Sequence, residues 1–122
     1  MGNTLIKISI WYFIVGVTLG LYMSMAHNYN LTGVHVHVNL LGWVSLAIAG
    51  IFYNLYPHLV ETVSAKIHFW LHNIGLPVMM GALALAILGA GDIFLTFVAI
   101  GGVVTVLGIY FFGYNMIKNL EQ

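Results

Sequence analysis

Two histidines, His35 and His37, stand two residues apart near the beginning of a long apolar stretch. Ionisable side chains are costly in such a stretch and therefore mark candidate functional sites. Neutral imidazole is a common ligand of metal ions and haem iron. On a helix, side chains two positions apart point roughly 200° apart, so the two rings cannot hold one metal ion from the same side. The spacing predicts two different partners, with haem ligation and hydrogen bonding at a helix end as the alternative interpretations.

A third histidine, His27, follows Met23 and Met25 within about one helical turn. Thioether and imidazole groups suit copper(I). These three residues, together with His35 and His37, therefore predict a copper site as the alternative to haem. The simpler interpretation is a histidine at the membrane surface beside two methionines that only pack.

The other three histidines lie later in the chain. His68 and His72 are four residues apart and share one face of a helix, a spacing that allows metal binding. Hydrogen bonding between helices is the second interpretation of this pair. His58 follows Pro57 in a polar connection that also contains Glu61, and we predict no ligand for it.

The composition excludes a soluble globular protein. The 122 residues are 61% hydrophobic and only 5% charged, whereas a soluble domain carries about a quarter charged residues. Cysteine is absent, which excludes disulfides, thiolate metal sites, iron–sulfur clusters and covalent c-type haem. The formal net charge is zero, so nothing predicts a nucleic-acid partner.

The chain divides into four apolar segments, each of which suffices to cross ~30 Å of hydrocarbon at 1.5 Å per residue. The prediction is an all-α integral membrane four-helix bundle, formed by residues 1–122 as one domain, with up-down-up-down topology. Gly16 and Gly20 have the small-xxx-small spacing that lets two helices approach closely, and Asp92 is a candidate N-cap. The predicted helices cover residues 5–27, 34–56, 66–88 and 92–117.

The lysines predict the orientation of the bundle. Lys7, Lys66 and Lys118 all fall on one side of this topology, and the positive-inside rule makes that side cytoplasmic. Both termini are then cytoplasmic, and the expected location is a bacterial or archaeal plasma membrane. His35 and His37 lie in the outer half.

Two stretches together resemble the subunit I family of haem-copper oxygen reductases, the cytochrome c oxidases. The family's tenth helix carries His-x-His near the outer face, a glycine- and alanine-rich body and a proline at the inner end. Its next helix opens with Ala-Lys-Ile-His-Phe, which is followed by Ile/Val-Gly. The resemblance covers residues 33–75 and is carried by His35-Val36-His37, Gly42, Leu46-Ala47-Ile48-Ala49-Gly50, Pro57, Ala65-Lys66-Ile67-His68-Phe69 and Ile74-Gly75.

The resemblance implies a role for each outer histidine. In the family, the first histidine of the pair ligates the high-spin haem and the second ligates the low-spin haem; the matching positions are His35 and His37. His68 matches a family position that is not a haem ligand. The family has twelve helices and holds the haem propionates with arginines. This chain has four predicted helices, no counterpart of the copper-ligand helices and no arginine, so the resemblance implies haem binding rather than oxygen reduction.

The expected function is therefore a membrane protein that binds haem b through His35, His37 or His27 and serves electron transfer or redox or gas sensing. Six-coordinate iron needs ligands on both sides of the ring, which one copy has difficulty supplying. We expect a homo-oligomer with haem between copies. A trimer is favoured because the family's twelve helices resemble three four-helix units. The redox partner is not predicted.

Overall fold

The computed structural model describes residues 1–121. Every secondary-structure element within that range is a helix. Four helices are long and apolar enough to cross a membrane, as predicted. They are α1 (Gly2–Ala26), α2 (Thr32–Leu55), α3 (Val63–Ile87) and α4 (Ile93–Asn119). A short 3₁₀ helix, Pro57–Glu61, joins α2 to α3. Each predicted helix end lies within three residues of the observed end.

The ends of the helices follow from local residue types. Thr62 caps α3, because its hydroxyl oxygen accepts a hydrogen bond from the Ala65 amide at 3.1 Å. Gly89 and Gly91 lie in the turn before α4 with φ of 85° and 139°, which is backbone that favours glycine. Asp92 occupies the N-cap position of α4, as predicted, but its side chain accepts no hydrogen bond from the helix.

Helix α2 changes its hydrogen-bond pattern in the middle. Residues Val38–Val44 form a π-helix between two α-helical parts, Thr32–His37 and Ser45–Leu55. The Ser45 amide donates to the Leu40 carbonyl, five residues back, and the Ser45 hydroxyl donates to the same oxygen at 2.7 Å. Short π segments are frequent at functional sites. The sequence did not predict this one.

Glycines bring α1 and α2 into close contact. A Cβ atom on Gly20 would lie 2.8 Å from the His35 ring, and one on Gly16 would lie 2.5 Å from the Asn39 side chain. The small-xxx-small prediction is therefore confirmed. Since Gly20 meets residue 35 while Gly16 meets residue 39, the two helices run antiparallel.

Helices α3 and α4 also pack through glycines. A Cβ atom on Gly101 would lie 2.6 Å from the Met79 amide nitrogen, and one on Gly108 would lie 3.0 Å from the His72 amide nitrogen. These distances leave no room for a side chain, so the two backbones touch directly. Helix α3 is continuous through Pro77.

Two clusters of buried side chains form the core. One lies at the end that contains Met1, the 3₁₀ helix and Asn119, which we call the terminal end. The other lies toward the opposite end, which we call the turn end because it contains the α1–α2 and α3–α4 turns. The first cluster contains Leu5, Leu46, Ala49, Tyr53, Leu59 and Ala65, and the second contains Val34, Val38, Leu76 and Met80.

Most of the outer surface is apolar. Trp11 is 69% exposed and Ile117 is 91% exposed, and all six charged side chains are exposed as well. Such a surface is unfavourable in water and suits contact with lipid or with another apolar protein surface.

Candidate functional site

His37 is held by its own helix and faces outward. Its Nδ1 lies 2.7 Å from the Gly33 carbonyl oxygen. A carbonyl oxygen only accepts, so Nδ1 carries the proton and donates it. The ring is exposed, and the Nε2 lone pair is left available at the surface of the turn-end half.

His35 is held across the α1–α2 contact. Its Nδ1 lies 2.8 Å from the Gly16 carbonyl oxygen and donates to it by the same reasoning, while the ring rests against Gly20. The Asn39 amide donates to the His35 backbone carbonyl at 2.8 Å. The ring is half-buried against α1, whereas the His37 ring is exposed. The two rings therefore point to different sides of α2, as helix geometry requires for positions two apart, while the two different partners stay a prediction.

Three of the five predicted copper ligands, Met23, Met25 and His27, do not share one environment. Met23 is buried, Met25 is 74% exposed, and His27 is an exposed residue in the left-handed conformation, with φ 50°, at the end of α1. Helix α1 thus points one thioether into the protein and the other out of it. The structure does not assemble Met23, Met25 and His27 into a common ligand set.

A buried chain of polar side chains runs through the terminal-end half. The Tyr53 hydroxyl lies 2.9 Å from His68 Nδ1, and His68 Nε2 lies 3.0 Å from His72 Nδ1. His72 Nε2 in turn lies 2.9 Å from the Leu41 carbonyl oxygen in the π-helix. Each of the three side chains is 1% exposed, so this chain ties α2 to α3 inside the bundle.

The Leu41 carbonyl, at the end of these hydrogen bonds, determines which ring nitrogen carries each proton. Leu41 contributes a carbonyl, so His72 Nε2 must be the donor. In neutral His72, Nδ1 then accepts, and His68 Nε2 donates to it. His68 Nδ1 is consequently an acceptor, and the Tyr53 hydroxyl donates to it. All three side chains are neutral and satisfied, as buried polar groups generally are.

Amide side chains continue the polar region to the terminal end. Asn115, buried on α4, lies beside the Tyr53 side chain and donates to the Leu59 carbonyl at 3.0 Å. The Asn119 side chain donates to the Asn115 amide oxygen at 2.9 Å, and His58 Nε2 donates to the Asn119 carbonyl at 2.8 Å. His58 therefore has a structural contact, although we predicted no ligand for it.

The hydrogen bonds decide between the two interpretations of the His68–His72 pair. All four ring nitrogens are engaged, which confirms hydrogen bonding and leaves no lone pair for a metal ion. Across residues 1–121, no group of three or more histidine, aspartate or glutamate side chains is arranged to hold a metal ion.

Sequence reasoning missed Tyr53, Asn115 and the Leu41 carbonyl. Asn115 is a polar residue in an apolar segment, and this position alone makes it a candidate for a buried interaction. Tyr53 gives a weaker signal, since tyrosine is frequent at membrane interfaces. The Leu41 carbonyl gives none, because its availability depends on the π-helix.

Comparison of the chain with protein-family models, curated proteins and solved structures finds no match.

Proposed function

We propose that this protein binds haem b in the membrane through His35 and His37 and serves electron transfer or redox or gas sensing. One observation carries the proposal. Both rings are oriented by an Nδ1–H bond to a backbone carbonyl, which leaves Nε2 as the ligand atom. Such a bond fixes the tautomer and increases the basicity of the ligand nitrogen. A relationship to haem-copper oxygen reductase subunit I is part of the proposal.

The other histidines support this choice by elimination. His68 and His72 use both ring nitrogens in hydrogen bonds. His58 lies at the terminal end and donates to a backbone carbonyl there. Copper binding has less support than haem binding, because the thioethers of Met23 and Met25 do not converge.

The residues near the turn end fit the polar edge of a haem only in part. The chain has no arginine to hold the propionates. Tyr29 and Asn30 are exposed in the α1–α2 turn and would bind them, with water completing the contacts. Bound haem would supply the redox chemistry, while the protein would supply the axial imidazoles and an apolar surrounding.

We propose that the haem lies between copies of the chain in a trimer. Since His37 faces outward while His35 faces α1, the two cannot approach one iron from opposite sides within one copy. His37 of one copy and His35 of the next would supply the two ligands. A closed ring of copies repeats this contact without leaving an unpaired face.

The proposed orientation places both termini in the cytoplasm of a bacterial or archaeal cell. Lys7 and Lys66 are exposed near the terminal end, and Lys118 is exposed close to the end of α4. The positive-inside rule favours this side as cytoplasmic. The proposed haem then lies in the outer half of the membrane.

Spectroscopy of the detergent-purified chain tests the proposal. We expect a Soret band in the oxidised and reduced protein, and about one haem per chain in assemblies of three chains by native mass spectrometry. Absence of the band after haem supplementation contradicts haem binding. A single chain that retains six-coordinate haem contradicts the shared site but leaves haem binding intact.

A further inference from the structure

The buried chain of Tyr53, His68 and His72 has a geometry suited to more than holding helices together. We infer that it is a proton-transfer path, which carries one proton from the polar region at the terminal end to His72, deep in the bundle. This activity is independent of haem.

The chain has the contacts that proton transfer requires. Its members are joined directly by hydrogen bonds of 2.9 Å and 3.0 Å, and each of the two histidine rings both donates and accepts. Histidine transfers protons readily because each ring nitrogen can bind or release one.

The path covers a short distance inside the bundle. His68 and His72 lie four residues apart on α3, which corresponds to about 6 Å of helix rise, and the Tyr53 hydroxyl lies 2.9 Å from the nearer ring. This is a minor part of the ~30 Å hydrocarbon core, so the path would connect the Tyr53 hydroxyl with the interior of the bundle and would not cross the membrane.

The transfer needs one reactant, a proton from water at the terminal end, and it balances as follows. An incoming proton binds the Tyr53 oxygen as the hydroxyl proton moves to His68 Nδ1. The proton on His68 Nε2 then moves to His72 Nδ1. Tyr53 and His68 end neutral, with His68 in its other tautomer, and His72 ends as the imidazolium. The Leu41 carbonyl still accepts from His72 Nε2, so a carbonyl dipole faces the new charge.

No charged side chain supplies this path from nearby. All six charged residues of the chain are exposed, including Lys66 and Glu61 near the terminal end. Tyr53 of α2 is the titratable group that contacts the histidines; α4 contributes Phe112, which packs on His68 with ring centroids 4.9 Å apart. Among the side chains in contact with the two histidines, Tyr53 is therefore the one that can deliver a proton to them.

Protons have a second route to His68 and His72, through a cleft beside the two rings. A cleft of about 170 Å³ borders the two histidine rings and is lined also by Ser45, Ile48, Ile109 and Phe112. Water has a liquid volume of ~30 Å³ per molecule, so protons could reach the rings from this side. If protons arrive through Tyr53, Tyr53→Phe slows their exchange at the histidine rings. If protons arrive through the cleft, a variant that fills the cleft slows the exchange instead.

The test measures hydrogen–deuterium exchange at the imidazole nitrogens of the full chain without haem, by nitrogen NMR of protein labelled at histidine. Tyr53→Phe removes the hydroxyl and keeps the ring, whose centroid lies 5.8 Å from that of Phe112. We expect exchange at His68 and His72 to slow by about tenfold or more. The control Tyr12→Phe removes a tyrosine hydroxyl on α1 and should leave both rates unchanged.

Three results would overturn the inference. The first is equal exchange in Tyr53→Phe and the unmodified protein, with folding verified by the remaining histidine signals. The second is slowing by Ile109→Phe, which fills the cleft, in place of slowing by Tyr53→Phe. The third is an unmodified protein in which His68 and His72 do not exchange at all, because a closed chain transfers no protons.

Discussion

At the residue scale, the six histidines differ in which nitrogens remain available. His68 and His72 have the same side chain as His35 and His37, but each of their ring nitrogens already has a partner. His35 and His37 each use Nδ1 for a backbone carbonyl. Availability of Nε2, rather than burial or number of histidines, is what distinguishes the candidate ligands.

The sharpest residue-scale prediction concerns the candidate ligands. His37→Ala and His35→Ala should each abolish haem binding or change the spin state, because a lost axial imidazole is not replaced by an equivalent group. His58→Ala should leave the spectrum unchanged, since that ring lies at the opposite end of the bundle.

The measurement is the visible spectrum of each purified variant, with haem counted per chain. If both helix variants keep the unmodified spectrum, the haem site moves to His27, which is the remaining histidine at the turn end. If haem content changes in His58→Ala alone, the haem site lies at the terminal end, which contradicts the proposed site at the turn end.

At the element scale, the sequence predicts the helices well and their internal geometry poorly. Four apolar segments and the Gly16–Gly20 spacing suffice for the spans and for the α1–α2 contact. The π-helix at Val38–Val44 was not predictable, because Asn39 is the one polar side chain in a segment of otherwise apolar residues and glycine, which leaves no periodicity that separates a π-helix from an α-helix. The partner of His72 was missed for the same reason.

The backbones of α3 and α4 are in close contact at Gly101. We therefore predict that the packing of these two helices depends on this glycine. Gly101→Ala would put a Cβ atom 2.6 Å from the Met79 amide, so the helices must separate. We expect a loss of about 1–3 kcal/mol in the free energy of unfolding, measured as a lower unfolding midpoint in detergent.

The matched control lies on the same helix. A Cβ atom on Gly113 meets no atom within 4 Å, so Gly113→Ala should be neutral or add up to about 1 kcal/mol through helix propensity. Equal destabilisation by both substitutions would show that the effect belongs to α4 in general and not to the α3–α4 contact.

At the scale of the whole molecule, composition predicts the membrane class but not the contacts between helices. Hydrophobic and charged fractions of 61% and 5% leave a membrane protein as the class that fits. They do not reveal that Tyr53 meets His68, since any of several helix rotations would bury an equal apolar area. The specific pairings depend on glycine contacts and on polar groups that need partners.

The orientation of the molecule can be measured directly because the chain has no cysteine. Single cysteines at Asn30 and Glu61, both exposed at opposite ends, can be labelled on intact cells with a membrane-impermeant reagent. We expect labelling at position 30 and protection at position 61, since the positive-inside rule predicts that the lysine-bearing end is cytoplasmic. The reverse pattern would place the proposed haem in the inner half.

The π-helix determines how α2 responds to the insertion or deletion of a residue. Each residue of an α-helix turns its successors by about 100°, so a residue gained or lost normally rotates everything beyond it. The π-helix acts as a rotational offset between the segment that bears His35 and His37 and the segment that bears Tyr53. Both segments pack against α1, where a Cβ atom on Gly20 would meet the His35 ring and one on Gly50 would meet Ile6, whereas the Tyr53 hydroxyl reaches His68 on α3. Insertions or deletions within residues 38–44 would reset that offset and uncouple the two polar regions of the protein from one another.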